Sequence, residues 1–105
     1  MTAQDPKDGS CLTDTMKDQM TVCLTKMKAA LEVVGSSMEN IVKTLILLKD
    51  IKDYQVMRAT ELEFYKKHAP QLIEEPPAST ILQAASLARP EFLVEFEAIA
   101  VVKKK

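Results

Sequence analysis

Few side chains in this 105-residue chain are of a type that does chemistry, and their spacing narrows what they can do. There is one histidine, His68, and there are two cysteines, Cys11 and Cys23. A structural zinc site gathers four Cys or His donors, usually starting from a Cys-x-x-Cys pair, and no such spacing occurs. No metal and no other cofactor is therefore expected. Two cysteines do not make a disulfide scaffold either. Cys23 falls on the apolar side of a periodic segment, where a thiol is inert packing, and Cys11 lies in a polar leader with nothing around it to activate it. His68 closes a helical segment, where an imidazole partners the negative end of the helix dipole better than it serves as a catalyst. The more unusual pair is Glu95 and Glu97. Both fall in the middle of one face of the last apolar segment, flanked there by Leu93, Ile99 and Val101. A strand facing only water would not carry aliphatic residues around two carboxylates. Lys43 lies in another apolar run and either reaches that same site or caps the sheet face.

The elements that position these residues follow from periodicity. Residues 1–13 are polar, and Asp5 to Ser10 is turn chemistry. From Asp14 the residues Met16, Met20, Cys23, Met27, Ala30, Leu31 and Val34 recur at helical steps; Asp14 is the expected N-cap and Gly35 the C-terminal stop. This methionine-rich stripe is read as core. Ile41 to Leu48 is β-branched and nearly all apolar, which suits a central strand. Asp50 and Asp53 precede a second helix from Tyr54 to about His68, with Tyr54, Met57, Phe64 and Tyr65 on one side. Pro70 ends it, and 71–77 reads as a loop. Two strands are expected next, Ser79 to Leu87 and Phe92 to Val102, joined through 88–91. In the last, Phe92, Val94, Phe96 and Ala98 should pack on Met20, Met27 and Leu31. Glu95 would then face the other way.

Composition excludes several classes. Apolar residues make up 47% of the chain, 28% are charged, and the net charge is −1. That describes one globular domain spanning 1–105, with 1–13 as an irregular leader and Lys103 to Lys105 as a basic tail. The tail reads as a solubilising end. No patch of cations interleaved with aromatics points to nucleic acid, so no nucleic-acid partner is expected. Apolar runs such as Leu45 to Leu48 are far short of a membrane span, and residues 1–6 have no signal-peptide character. The cytoplasm is the default location. Helix–strand–helix–strand–strand is an α+β order with both helices on one sheet face. The second face, aliphatic with two glutamates, would stay uncovered in a monomer and argues for an oligomer.

Specific strings then resemble the RidA/YjgF family: Gly35 to Thr44, Leu47 to Tyr54, Pro77 to Thr80, and above all Val94 to Val102. The resemblance runs in consistent order over 14–102, taken as the family core. It implies a chorismate-mutase-like α+β fold, a mixed sheet, and a homotrimer in which open sheet faces meet and ligand clefts lie between subunits. Active members hydrolyse 2-imino acids to 2-keto acids and ammonia, and part of the family carries an endoribonuclease or translation-inhibitor label.

Two departures bear on function. Where the resemblance implies an arginine clamping the substrate carboxylate, this chain has Ser79. A hydroxyl offers one neutral hydrogen bond in place of a charged planar fork. The family's N-terminal β-hairpin, with its cleft tyrosine, is also missing ahead of Met1, through either a late start or a shortened protein. Glu95 matches the glutamate that holds or activates the hydrolytic water, with a hydrogen-bonded interface residue as the plainer reading. Glu97 is read as structural. Arg58 falls at a common cleft asparagine and is either solvated surface or a partial replacement for the lost charge. The resulting expectation is a trimeric protein binding a keto or imino acid, with deaminase activity impaired or absent. A working deaminase relying on Glu95 and backbone amides is the alternative, and an endoribonuclease or translation inhibitor the second.

Overall fold

The computed structural model describes residues 1–102, so the basic tail at 103–105 lies outside the described residues. The elements run α1 (Met16–Val33), β1 (Ile41–Leu48), α2 (Tyr54–His68), α3 (Gln71–Glu74), β2 (Ala78–Gln83) and β3 (Val94–Ala100), with single 3-10 turns at Met38–Asn40 and Ile51–Asp53. The sheet is mixed, in the order β2-β1-β3, with β1 parallel to β2 and antiparallel to β3. Helices cover one of its faces, as the α+β order requires.

α1 follows the expected stripe, but its cap lies one residue later than expected. Thr15, not Asp14, is the N-cap, and its hydroxyl accepts from the Asp18 amide at 3.2 Å. Its C-terminus closes as a Schellman motif. The Ser36 amide donates to Leu31 O and the Gly35 amide to Glu32 O, with Gly35 at φ 82°. That left-handed backbone is why glycine stands there.

Three boundaries differ from the sequence reading. The 71–77 stretch contains the one-turn α3, for which Pro70 is the N-cap and whose Leu72 is buried. Proline ends one helix and is well suited to the start of the next, because it has no N–H to satisfy. β2 spans Ala78–Gln83 rather than Ser79 to Leu87, and β3 spans Val94–Ala100 rather than Phe92 to Val102. The two strands do not pair with each other, because β1 lies between them. Residues 84–93 therefore leave the sheet and cross the end of β1. The Ala84 amide reaches Leu48 O at 2.9 Å and the Lys49 amide reaches Leu93 O at 3.0 Å.

The core joins Met20, Cys23, Leu24 and Met27 of α1, Ile46 and Leu48 of β1, Met57 and Tyr65 of α2, and Val94 and Phe96 of β3. Leu31 and Ala98 pack on it half-buried, while Phe92 is buried outside it. Full burial of an aromatic such as Phe96 contributes about 1.5–3 kcal/mol. Ile46 sits opposite Phe96, and Leu47 opposite Glu95. Phe96 thus faces the helices and Glu95 the reverse side, in the expected register.

The leader is docked rather than loose. Gln4 bridges to Cys11 around a turn with Gly9 at φ 78°, and Ala3 is buried. The buried Gln19 side chain fastens it: Nε2 donates to Thr13 O at 3.1 Å, to Glu91 O at 2.8 Å and to Cys11 Sγ at 3.3 Å, while Oε1 accepts from the Leu93 amide at 2.8 Å. Among the described residues no helix is long and apolar enough to cross a membrane.

Candidate functional site

The open sheet face is built by strand register. Going across β2, β1 and β3, one row is Leu82, Leu47 and Glu95, the next Thr80, Leu45 and Glu97, and the third Ala78, Lys43 and Ile99. Strand alternation puts all nine side chains on the same side. Lys43 Nζ donates to Thr80 Oγ1 at 3.4 Å, so the cation leans toward β2. Glu95 is half-buried, Glu97 is exposed, and among the described residues neither is in an ion pair. Ile99 is 61% and Leu82 41% exposed, which is unusual for aliphatic residues on paired strands. The face thus offers an aliphatic floor, an amine at one corner and two carboxylates along one side. Such a set can hold a small polar molecule against an apolar surface and can orient a water at Glu95.

Ser79 is not part of this face. It pairs with Thr44, a buried residue of the helix side, and the Thr44 hydroxyl donates to Ser79 Oγ at 2.8 Å. Within one chain, Ser79 and Glu95 therefore lie on opposite faces of the sheet.

Arg58 stands apart from both, on α2. Its Nη1 lies 2.5 Å from Glu61 Oε1, and Glu61 Oε2 accepts from the Tyr65 hydroxyl at 2.9 Å. Burial, and secondarily the Glu61 charge, hold the Tyr65 phenol well above its ordinary range. His68 is exposed in the last turn of α2, and its ring lies tilted by 43° against Phe64 with centroids 4.4 Å apart. Cys23 is buried, and burial pushes its thiol up to about 11. Cys11 donates to Thr13 O at 3.0 Å. Among the described residues no group of His, Cys, Asp or Glu is placed to hold a metal ion.

Two polar residues central to the structure escaped the sequence reading. Glu61 lies three residues after Arg58 and four before Tyr65, on the side of α2 that Met57 marks as core, so a charge at a core position was legible there. Gln19 lies between Met16, Met20 and Cys23 on the same terms, and periodicity flagged neither as paired.

A small mixed sheet, helices on one face and an open face carrying two glutamates define an α+β protein of the chorismate-mutase-like kind. The sequence pattern of the family described as Endoribonuclease L-PSP matches residues 1–102, and the chain belongs to that family, the RidA/YjgF proteins. The match begins at residue 1, so it takes in the leader as well as the 14–102 core. A RutC family protein of Pyrococcus horikoshii is 32% identical over 96 residues, covering 91% of this chain and 70% of the relative. The 2-iminobutanoate/2-iminopropanoate deaminase of Salmonella typhimurium is 33% identical over 97 residues, covering 92% and 71%. Among solved structures, the YjgF gene product of Escherichia coli superposes with a TM-score of 0.82 at 29% identity, covering 97% of this chain and 76% of that one.

Proposed function

We propose that this chain is a cytoplasmic small-molecule-binding protein that takes a 2-keto or 2-imino acid, with imine deaminase activity impaired or absent. The observation that carries this reading is Ser79. Its hydroxyl already accepts from Thr44 at 2.8 Å, so it brings one neutral group to a position where the resemblance implies a charged fork. Carboxylate binding falls accordingly. Glu95, half-buried beside Leu47, is the residue we assign to the hydrolytic water.

Ser79 and Glu95 lie on opposite faces of one chain, so both can touch the same ligand only if the cleft draws on two copies. The uncovered aliphatic face supports the same assembly, a homotrimer closed through Ile99 and Leu82; Leu93, expected beside Ile99, precedes β3 and packs against the core instead. Arg58, engaged by Glu61, has fewer donors left for a ligand than a free arginine would.

The second reading is an active deaminase in which Glu95 and backbone amides suffice. It is favoured by the name of the Salmonella relative at 33% identity. The test is ammonia and 2-keto acid release from freshly generated 2-iminobutanoate. Little acceleration over the uncatalysed rate is expected. A rate like that of the Salmonella enzyme measured alongside would establish the second reading instead.

A further inference from the structure

A groove of about 200 Å³ runs between α1 and α2 on the outer surface of the helix layer. It has room for several waters or one small organic molecule. It shares no residue with the open sheet face. Lys17 lines one wall from α1, and Lys67 and Glu63 line the other from α2, while Phe64 supplies an aromatic surface. We propose that this groove binds a small zwitterion of the α-amino-acid class.

The charges carry the argument. Among the described residues none of Lys17, Glu63 and Lys67 stands in an ion pair, although they line one groove. Glu63 and Lys67 have the four-residue spacing at which helix pairs close, and such exposed pairs are weak, so their closure competes poorly with a ligand. A plain anion would be drawn by the two lysines but would meet Glu63. A plain amine would meet the reverse. A molecule with a carboxylate and an ammonium group satisfies all three side chains together.

The threonines point the same way. The Thr60 hydroxyl donates to Val56 O and the Thr21 hydroxyl donates to Lys17 O, each at 2.8 Å. With their protons committed along the helix, both oxygens keep only acceptor capacity, which suits an N–H donor on the ligand. Phe64, backed by the His68 ring, gives an apolar side chain a surface to lie on.

The experiment is a titration of the isotope-labelled full chain, followed by backbone amide shifts. The probes share one carbon skeleton: L-valine, 3-methyl-2-oxobutanoate and isobutylamine, with L-aspartate and L-phenylalanine to vary the side chain. At least one amino acid is expected to give saturable shifts at Thr21, Thr60, Glu63 and Phe64 in the millimolar range. The keto acid and the amine should bind there at least tenfold more weakly. Glu63→Gln should weaken the amino acid about tenfold, and Lys67→Gln should do likewise from the carboxylate side. The proposal is overturned if no amino acid moves these amides up to its solubility limit, if the keto acid matches valine at this groove, or if both variants bind like the parent chain. Shifts confined to β2 and β3 would report the open-face site and would also count against it.

Discussion

The Tyr65 hydroxyl donates to Glu61 Oε2 at 2.9 Å while Arg58 holds Oε1, so a carboxylate only 1% exposed has both oxygens satisfied from its own helix. All three residues come from α2, at spacings of three and four, so the cluster needs no side chain from another element. Arg58, a candidate ligand contact in the sequence, is thereby committed on one edge of its guanidinium.

Removing Arg58 leaves a buried charge without its counterion. Breaking a buried pair by deleting one partner costs about 3–5 kcal/mol. The Arg58 side chain is 34% exposed, so solvent replaces part of it. Arg58→Ala should therefore lose about 2 kcal/mol in urea unfolding, and Arg58→Leu combined with Glu61→Leu and Tyr65→Phe, which leaves no hydroxyl without its acceptor, should recover most of that. A single variant as stable as the parent would mean the pair contributes nothing.

Cys23 sets a pH dependence at the alkaline end. Burial is the main cause raising its thiol from 9.0 to about 11. The folded state keeps the proton that the unfolded chain gives up, so this contribution is intact below pH 9 and disappears as pH rises through 11. At about 1.4 kcal/mol per pH unit the loss is about 2–3 kcal/mol. Tyr65, also raised, acts in the same direction at higher pH. Cys23→Val should flatten the fall in stability between pH 9 and 11, which denaturant melts across that range would read directly. An unchanged slope would assign the fall to other groups.

Gln19 joins the leader to the segment entering β3 through four hydrogen bonds. Gln19→Leu keeps the volume but leaves Glu91 O and the Leu93 amide without that partner. Each buried unsatisfied group costs about 1–3 kcal/mol. A total loss of about 2–4 kcal/mol is expected, with new proteolytic cleavage in 10–14. Parent-like protease resistance would show that the leader is held by other contacts, such as the Lys26 amine on Thr2 O.

Ile99, at 61% exposure on the open face, tests the assembly. Light scattering of the parent chain should give a trimer, and Ile99→Asp a monomer with unchanged helical circular dichroism. A parent chain that is monomeric at micromolar concentration would remove the intersubunit cleft altogether.

Ser79→Arg addresses activity itself. A charge-assisted contact to a carboxylate contributes about 1.5–3 kcal/mol, roughly ten- to a hundredfold in binding. The variant should raise 2-iminobutanoate hydrolysis, seen first in kcat/KM. The Thr44 hydroxyl loses its present acceptor in this variant, so a small drop in Tm is expected as well. A parent chain already as fast as the Salmonella deaminase would show that Ser79 is no defect.

Local sequence determined the two long helices, the central strand, the left-handed turn at Gly35 and the alternation that divides Phe96 from Glu95. These depend on period, caps and backbone conformation, which neighbouring residues dictate. The family was legible too, because Val94 to Val102 and Gly35 to Thr44 keep a recognisable order of residues. Tertiary structure decided the rest. That β1 separates β2 from β3, and that 84–93 therefore belongs to a crossover, depends on hydrogen bonds between distant strands. The placing of Ser79 on the helix side depends on its pairing with Thr44, thirty-five residues away. Gln19 sits at a core position because its partners complete its hydrogen bonds there. A polar side chain is stable in the core only once those partners are in place, and for Gln19 they are backbone groups of residues up to seventy-four positions away.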